Sequence, residues 1–440
     1  MSEEATLDEF TDVDSEENDG KHQITGFGTF PSEWDKKAIT TCAKIRDSER
    51  IPLNSQEREE KKPGNIPYYG ANGVLDYIDE YIFDSELILL AEDGGHFEEY
   101  QERPIAYRIS GKSWVNNHAH ILEARDGVVT DYLFYSLEHR NLVPYVSGST
   151  RSKLTQSMLR KVKIPSPSLP EQRKIATVLY TVDRAIEKTV EMREQVERVR
   201  AGIAQDLFRN GISQGNTKDT WLGEIPEDWD VVPFSEIVNS NRNGLYKSKD
   251  AYGEGYPIAK MGNALEKRTL DMSSADRLEL TNEENEKYGL KKGDLIFARR
   301  AQEVSAAGDC CYVPELDELT VFESSLIRVR LSERANPRFY TQYFDSPVGS
   351  RSIDRIVTET SISGVATSDL LDLKVAVPSP TEQDEIASIM WQFDEQEKAL
   401  KKEIQQYKRL KRGIQQDLLS GNIRMTDTNI EVPDKITQHG

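Results

Sequence analysis

The residues of this 440-residue chain best suited to chemistry are polar and basic side chains set in turn-rich sequence. In the first half these are Lys61, Tyr69, Asn72, Asn117, Arg151 and Lys153; in the second they are Arg242, Lys247, Lys260, Asn263, Arg299, Arg300 and Gln302. Lysine and arginine neutralise phosphates, and arginine, asparagine and glutamine pair with base edges. Singly, each of these is ordinary surface. As loop clusters they form a candidate nucleic-acid interface.

Signatures of bond-making chemistry are missing. Methyl transfer to adenine calls for an Asn/Asp-Pro-Pro-Tyr/Phe motif, and none occurs. The glycines of Gly26–Phe30 stand directly before Pro31 and make no cofactor loop. Gly111-Lys112-Ser113 ends like a phosphate loop, but Ala106 stands where the required earlier glycine would be. His118 and His120 lack a third ligand at metal spacing. Glu59-Glu60-Lys61 reads as solvated surface. Cys42, Cys310 and Cys311 form neither a disulfide framework nor a CxxC site, and the adjacent pair reads as packed thiols. The expectation is no catalytic residue, no metal and no cofactor.

The formal charge of −20 runs against nucleic-acid binding. Much of it falls in residues 1–20, which carry nine acids and no Lys or Arg, so residues 1–22 are expected to be a disordered acidic tail. The rest suits a basic groove on an acidic body, or a salt-loving host. No run of about 20 apolar residues marks a membrane span, and the cysteine usage fits a cytoplasmic protein.

The elements that must position the candidates come from an internal repeat. Leu159–Ile212 aligns without a gap with Leu370–Ile423 at a constant offset of 211, and Gly28–Asp35 aligns with Gly223–Asp230 at an offset of 195. Between these anchors the halves diverge. The repeated segment predicts a long helix in each half (168–212 and 379–424), opened by the capping boxes Ser168-x-x-Glu171 and Ser379-x-x-Glu382. An apolar seam runs through Ile175, Leu179, Val182, Ile186, Val196, Ile203 and Leu207 and their counterparts, interrupted by Arg193, Arg200, Glu397 and Lys411. Each helix needs a partner for its seam, and antiparallel packing of the two copies is expected. Gly202 and Gly413, at matching places, suggest close approach or a bend.

The divergent blocks, 23–167 and 221–378, mix short strand-like runs, amphipathic helices and dense turn signals, which predicts α/β (mixed α+β) globules. Residues 213–220 read as a linker and 425–440 as a flexible tail. Ile66–Gly73 followed by Ile88–Gly94, Gly293–Arg299 in the second block, and the exits Val162–Gln172 and Val375–Gln383 resemble the specificity subunits of type I restriction-modification systems. The resemblance covers roughly residues 23–424. It implies two target-recognition domains, each binding one half of a bipartite asymmetric site on double-stranded DNA, and two long helices packed as an antiparallel coiled coil that sets the spacer. It also implies two methyltransferase subunits and ATP-dependent restriction subunits as partners, and no catalysis by the chain itself. The alternatives are a specificity subunit of a related type IIB-like system and a self-sufficient DNA-modifying enzyme.

Overall fold

The computed structural model describes residues 22–25, 28–148, 152–213, 215–265, 267–358 and 363–437. Nearly all of the acidic tail, and the candidate Arg151, lie outside the described residues. The chain divides into two compact units: residues 1–188 with 404–440, and residues 189–403. The division falls within the long helices, not at the linker, so each unit owns one globular block and part of both helices.

In the first unit, the apolar run Leu87–Ala91 is buried throughout and forms an inner strand of a four-stranded antiparallel sheet. Its neighbours are Ala119–Ala124 and Ala106–Ile109, and Ala43–Ile45 closes the far edge. Each fully buried aliphatic side chain here contributes about 1.5–3 kcal/mol. A second sheet pairs the hairpin Ile66–Gly70 and Gly73–Ile78 with Lys112–Val115, which runs parallel to Ile66–Gly70. The second unit repeats this plan despite its different sequence. Leu295–Ala298 lies between Leu326–Leu331 and Cys310–Tyr312, with Val238–Asn243 at the edge. Tyr252–Ala259 pairs with Asp276–Leu278 and runs parallel to Val321–Phe322.

The incoming and outgoing ends of each block are clasped by a two-stranded ladder, Asp35–Ala38 with Lys163–Ser166 and Asp230–Pro233 with Lys374–Val377. The chain then enters the long helices, Leu169–Asn210 and Pro380–Ser420. Ser379 caps the second, accepting from the Glu382 N–H at 3.3 Å. The glutamates do not complete the expected capping box. Glu382 accepts from Trp229 Nε1 at 2.8 Å, and Glu171 accepts from Trp34 Nε1 at 3.2 Å. The repeated tryptophan and the repeated glutamate thus lock each block onto its helix.

Within each unit the helix segments run antiparallel. In the first, Glu171 meets Arg424 and Asp183 meets Lys411; in the second, Glu382 meets Ile212 and Asp394 meets Arg200. The seam holds at Ile175, Leu179, Ile386, Met390 and Leu418, all buried, but Ile203 is 36 % exposed and Ala204 and Phe208 take its place inside. Three of the polar interruptions of the seam are themselves buried: Arg200, Glu397 and Lys411. Lys411 Nζ bonds both Glu138 oxygens at 2.9 Å and Asp183 at 2.7 Å, while Tyr135 donates to Asp183. Arg200 likewise holds Asp345 at 2.7 Å and Asp394 at 3.1 Å, with Gln342 alongside. Glu138 and Asp345 end equivalent short helices, Thr130–Glu138 and Pro337–Asp345. The same charge cluster therefore docks each block, with the two helices exchanging roles.

Two further expectations need correction. A Cβ added at Gly202 or Gly413 would meet nothing within 4 Å, so neither glycine serves a close approach. Residues 425–437, within the segment expected to be a flexible C-terminal tail, pack into the first unit as a strap, with Met425 5 % exposed and Ile436 fully buried in its core.

Candidate nucleic-acid interface

In each unit the parallel strand pair and the antiparallel sheet meet at one turn. In the first this is Asn116-Asn117-His118, whose Asn116 N–H donates to the Tyr69 carbonyl at 3.0 Å while the His118 carbonyl accepts from Glu92 at 2.9 Å. In the second it is Glu323-Ser324-Ser325, bonded in the same way to Ala259 at 3.0 Å and Arg299 at 2.7 Å. Glu92 and Arg299 are equivalent: their carbonyls accept from Leu154 and Val365, which the repeat places 211 residues apart. The loop that follows is acidic in one unit (Glu92, Asp93) and basic in the other (Arg299, Arg300).

The turn gathers several candidates that are distant in sequence. Around Asn116–His118 stand Tyr69, Asn72, Asn117 and Lys153. Asn117 and Asn72 are exposed, and the Asn72 amide donates to the Gly94 carbonyl at 3.0 Å. Tyr69 is partly covered, and burial raises its hydroxyl pKa. Lys153 is ion-paired with Glu92 at 3.2 Å. Around Glu323–Ser325 stand Arg299, which donates to the Ser324 carbonyl at 3.3 Å, and the exposed Arg300 and Gln302. Gly244 and Leu245 close against the same turn, and Tyr246 beyond them is 83 % exposed. An added Cβ at Gly244 would fall 1.9 Å from the Glu323 carbonyl oxygen, so the close approach requires glycine.

Other candidates are committed within the protein. Asn263 is buried, accepting from the Lys260 N–H at 2.9 Å and donating to the Asp271 carbonyl at 2.9 Å; it holds a turn and has nothing to offer a base. Lys260 pairs with Asp276 at 2.6 Å. Burial pulls the Lys260 pKa down, but Asp276 and the Tyr252 hydroxyl more than offset it. Lys247 pairs with Glu284 at 2.7 Å. Arg242 is partly buried with its guanidinium 5.8 Å from the Tyr288 ring. Lys61 pairs with Glu80 at 2.6 Å, next to Asp79 and so at the far end of the hairpin from the turn.

Sequence reasoning missed the brace behind the first turn. Asp47, Glu92 and His120 bring ligand atoms within 4.8 Å of one another. Both His120 ring nitrogens are occupied, by Asp47 at 2.6 Å and the Leu154 carbonyl at 2.7 Å. Arg50 donates to Glu92 at 2.6 Å and to the Ala119 carbonyl at 2.8 Å. Burial pushes the Asp47 carboxyl up, but His120, the Ile121 N–H and Gln156 outweigh it and hold the carboxyl below the usual range. A metal ion would have to displace the guanidinium, so the cluster is built as a brace that fixes Glu92, Leu154 and the turn. Its members are spread from Asp47 to Gln156, and no local motif marks them.

A sheet-borne turn ringed by polar side chains, present twice on a shared helix scaffold, defines a tandem recognition protein. The sequence matches the family described as type I restriction modification DNA specificity domain over residues 31–198 and again over 226–407. The chain belongs to that family. It is 28 % identical over 369 residues to a Haemophilus influenzae chain provisionally named as type I restriction enzyme specificity subunit S.HindORF215P, covering 82 % of this chain and 88 % of that one. It is 25 % identical over 421 residues to the Type I restriction enzyme MjaVIII specificity subunit of Methanocaldococcus jannaschii, covering 91 % and 95 %. The crystal structure of a type I restriction-modification S subunit from M. genitalium superposes with a TM-score of 0.55 at 15 % identity, covering 88 % of this chain and 96 % of that one. At that identity the likeness establishes the fold.

Proposed function

We propose that the chain is the DNA-reading subunit of a type I restriction-modification complex, with each unit reading one half of a split target through its central turn. It performs no catalysis itself; methyltransferase subunits, joined by ATP-driven restriction subunits, act on the DNA it selects. The observation that carries this reading is the double one: two family matches, each containing the same turn, with Asn72 and Asn117 exposed around the first and Arg300 and Gln302 around the second. Asn72 and Asn117 at the first turn, against Arg300 and Gln302 at the second, are the kind of difference that two unlike half-sites require. Arginine pairs with the O6 and N7 of guanine, and asparagine and glutamine with the N6 and N7 of adenine.

The test is to replace residues 221–378 with the corresponding block of another such subunit, express the hybrid with its methyltransferase partner, and sequence the methylome. One half-site is expected to change and the other to persist. A change in both halves, or methylation by the lone purified chain, would overturn the reading.

A further inference from the structure

The first unit holds one apolar side chain in solvent at the edge of its recognition turn, and the backbone is bent to put it there. In the hairpin of Ile66–Gly70 with Gly73–Ile78, Val74 pairs with Tyr69 and Asp76 with Tyr68, so Leu75 is the extra residue of a β-bulge. A bulge leaves that residue unpaired and re-aims its side chain. Here the side chain lies over Gly70. A Cβ added at Gly70 would fall 2.6 Å from Leu75 Cδ1 and 3.3 Å from the Asn116 amide nitrogen. The bare glycine therefore seats the leucine beside the Asn116-Asn117-His118 turn.

An exposed leucine by itself means little, because much of any protein surface is apolar. The setting of this one carries more weight. Leu75 is 59 % exposed, more than any other leucine among the described residues. Its strand is the edge of its sheet, so the ribbon's outer side is open. Asn72, at the tip of the same hairpin, and Asn117, next to Asn116, are exposed amides. An aliphatic group and two amides thus share one small surface at the turn.

That combination matches an A·T pair seen from the major groove. The groove admits a two-stranded ribbon; in it an asparagine amide pairs with adenine N6 and N7, and an apolar side chain meets the thymine methyl. Thymine alone among the four bases carries an apolar group on that edge. A wedge driven between base steps would need a side chain free to project, whereas Leu75 is laid against Gly70.

We propose that Leu75 reads the 5-methyl group of a thymine in the half-site bound by the first unit. It is a specificity-determining residue, working beside the amides of Asn72 and Asn117. This rests on the reading of the chain as a DNA-recognition subunit.

The test uses the full chain in complex with the methyltransferase subunits of its own system, on duplexes carrying the sequence that its methylome reveals. The block replacement described above assigns one half-site to the first unit. In that half each thymine is replaced in turn by deoxyuridine, which lacks only the methyl group. At one position the unsubstituted complex is expected to bind about fourfold more weakly, the worth of one methyl-sized apolar group. Leu75→Ala is expected to bind the thymine and deoxyuridine duplexes alike. Its unchanged response to base changes in the other half-site checks that it is folded. Leu75→Asn, which keeps the size and removes the apolar contact, is expected to behave as Leu75→Ala does. A first half-site without an A·T pair, or equal binding of every deoxyuridine duplex by the unsubstituted complex, overturns the assignment and leaves the function standing. So does a thymine preference that survives in either variant. Failure of the unsubstituted complex to prefer its own sequence over an unrelated duplex overturns the functional reading, and this inference with it.

Discussion

Removing the buried cation of one docking cluster should cost far more than removing its counterpart. Lys411 is the sole ion-pair partner of Glu138 and Asp183 among the described residues, and its side chain is 8 % exposed. Lys411→Met leaves Glu138 uncompensated and Asp183 with the Tyr135 hydroxyl but no cation, and removing one partner of a buried pair costs about 3–5 kcal/mol. In the second unit Arg268 also reaches Asp345 at 2.8 Å and Asp394 at 3.4 Å. Arg200→Met therefore leaves a guanidinium in place, and the loss should stay near the about 1.5–3 kcal/mol of charge-assisted hydrogen bonds. For a unit of this size each kcal/mol shifts Tm by roughly 2–4 °C, so a 4 kcal/mol loss lowers the first unit's transition by roughly 8–16 °C. Hydrogen exchange should localise the damage to Thr130–Glu138 and the helix segments beside it for Lys411→Met, and to Pro337–Asp345 for Arg200→Met. Equal losses, or a larger loss for Arg200→Met, would refute the argument that a second cation shares the load.

Four further outcomes follow from the same geometry. Arg300→Ala, at an exposed position beside the second turn, should either flatten the log–log salt dependence of DNA binding by about one unit, if it meets a phosphate, or relax specificity at one base pair. No change in either would place it away from DNA. Asn263→Ala should destabilise the second unit by about 1 kcal/mol and leave the salt slope unaltered; an altered slope would return it to the interface. Gly244→Ala should push the Glu323–Ser325 turn out of place and abolish reading of one half-site, seen as a one-sided loss in a methylome, whereas a wild-type pattern would show that the turn can yield. Burial raises the Glu171 carboxyl, but Arg424, the Met425 N–H and Trp34 outweigh it and hold it below the usual range. Its contribution is therefore present above the ordinary carboxylate value of about 4.3 and is lost as pH falls through the depressed one. Exchange in residues 425–437 should accelerate over that acid range, and unchanged protection would remove Glu171 as the anchor of the strap.

The parts of the fold legible in the sequence are those with a period or a duplicate. The 211-residue repeat and the apolar seam foretell two long antiparallel helices, and the turn signals at Tyr69–Gly73 and Lys292–Asp294 foretell mixed globules. What escaped depends on contacts distant in the chain. Lys247 and Lys260 look like free donors in sequence because their partners, Glu284 and Asp276, are themselves ordinary acids, and Asn263 because it bonds the main chain of Lys260 and Asp271. The brace of Asp47, Arg50, Glu92 and His120 draws on three separate stretches of chain, one of them the strand Ala119–Ala124. Arg200, Glu397 and Lys411 read as flaws in a seam because periodicity registers a charge as an interruption, whatever it pairs with. The strap was hidden by its composition: Ile430, Val432 and Ile436 are too widely spaced among acids to announce a buried segment.

The division of both helices between the units has a consequence for synthesis on the ribosome. The first block is complete as sequence by residue 188, but the helix segment and strap that finish its unit begin only at residue 404. At about 5–20 residues per second, roughly 10–40 s pass between the two. During that time the helix face at Leu179 and the carboxylates of Glu138 and Asp183 must wait without Lys411. The second block is spared this delay, since residues 189–403 form one uninterrupted stretch. The nascent chain therefore finishes its second unit before its first, and the half-built first unit is the stage at which a chaperone would have something to hold.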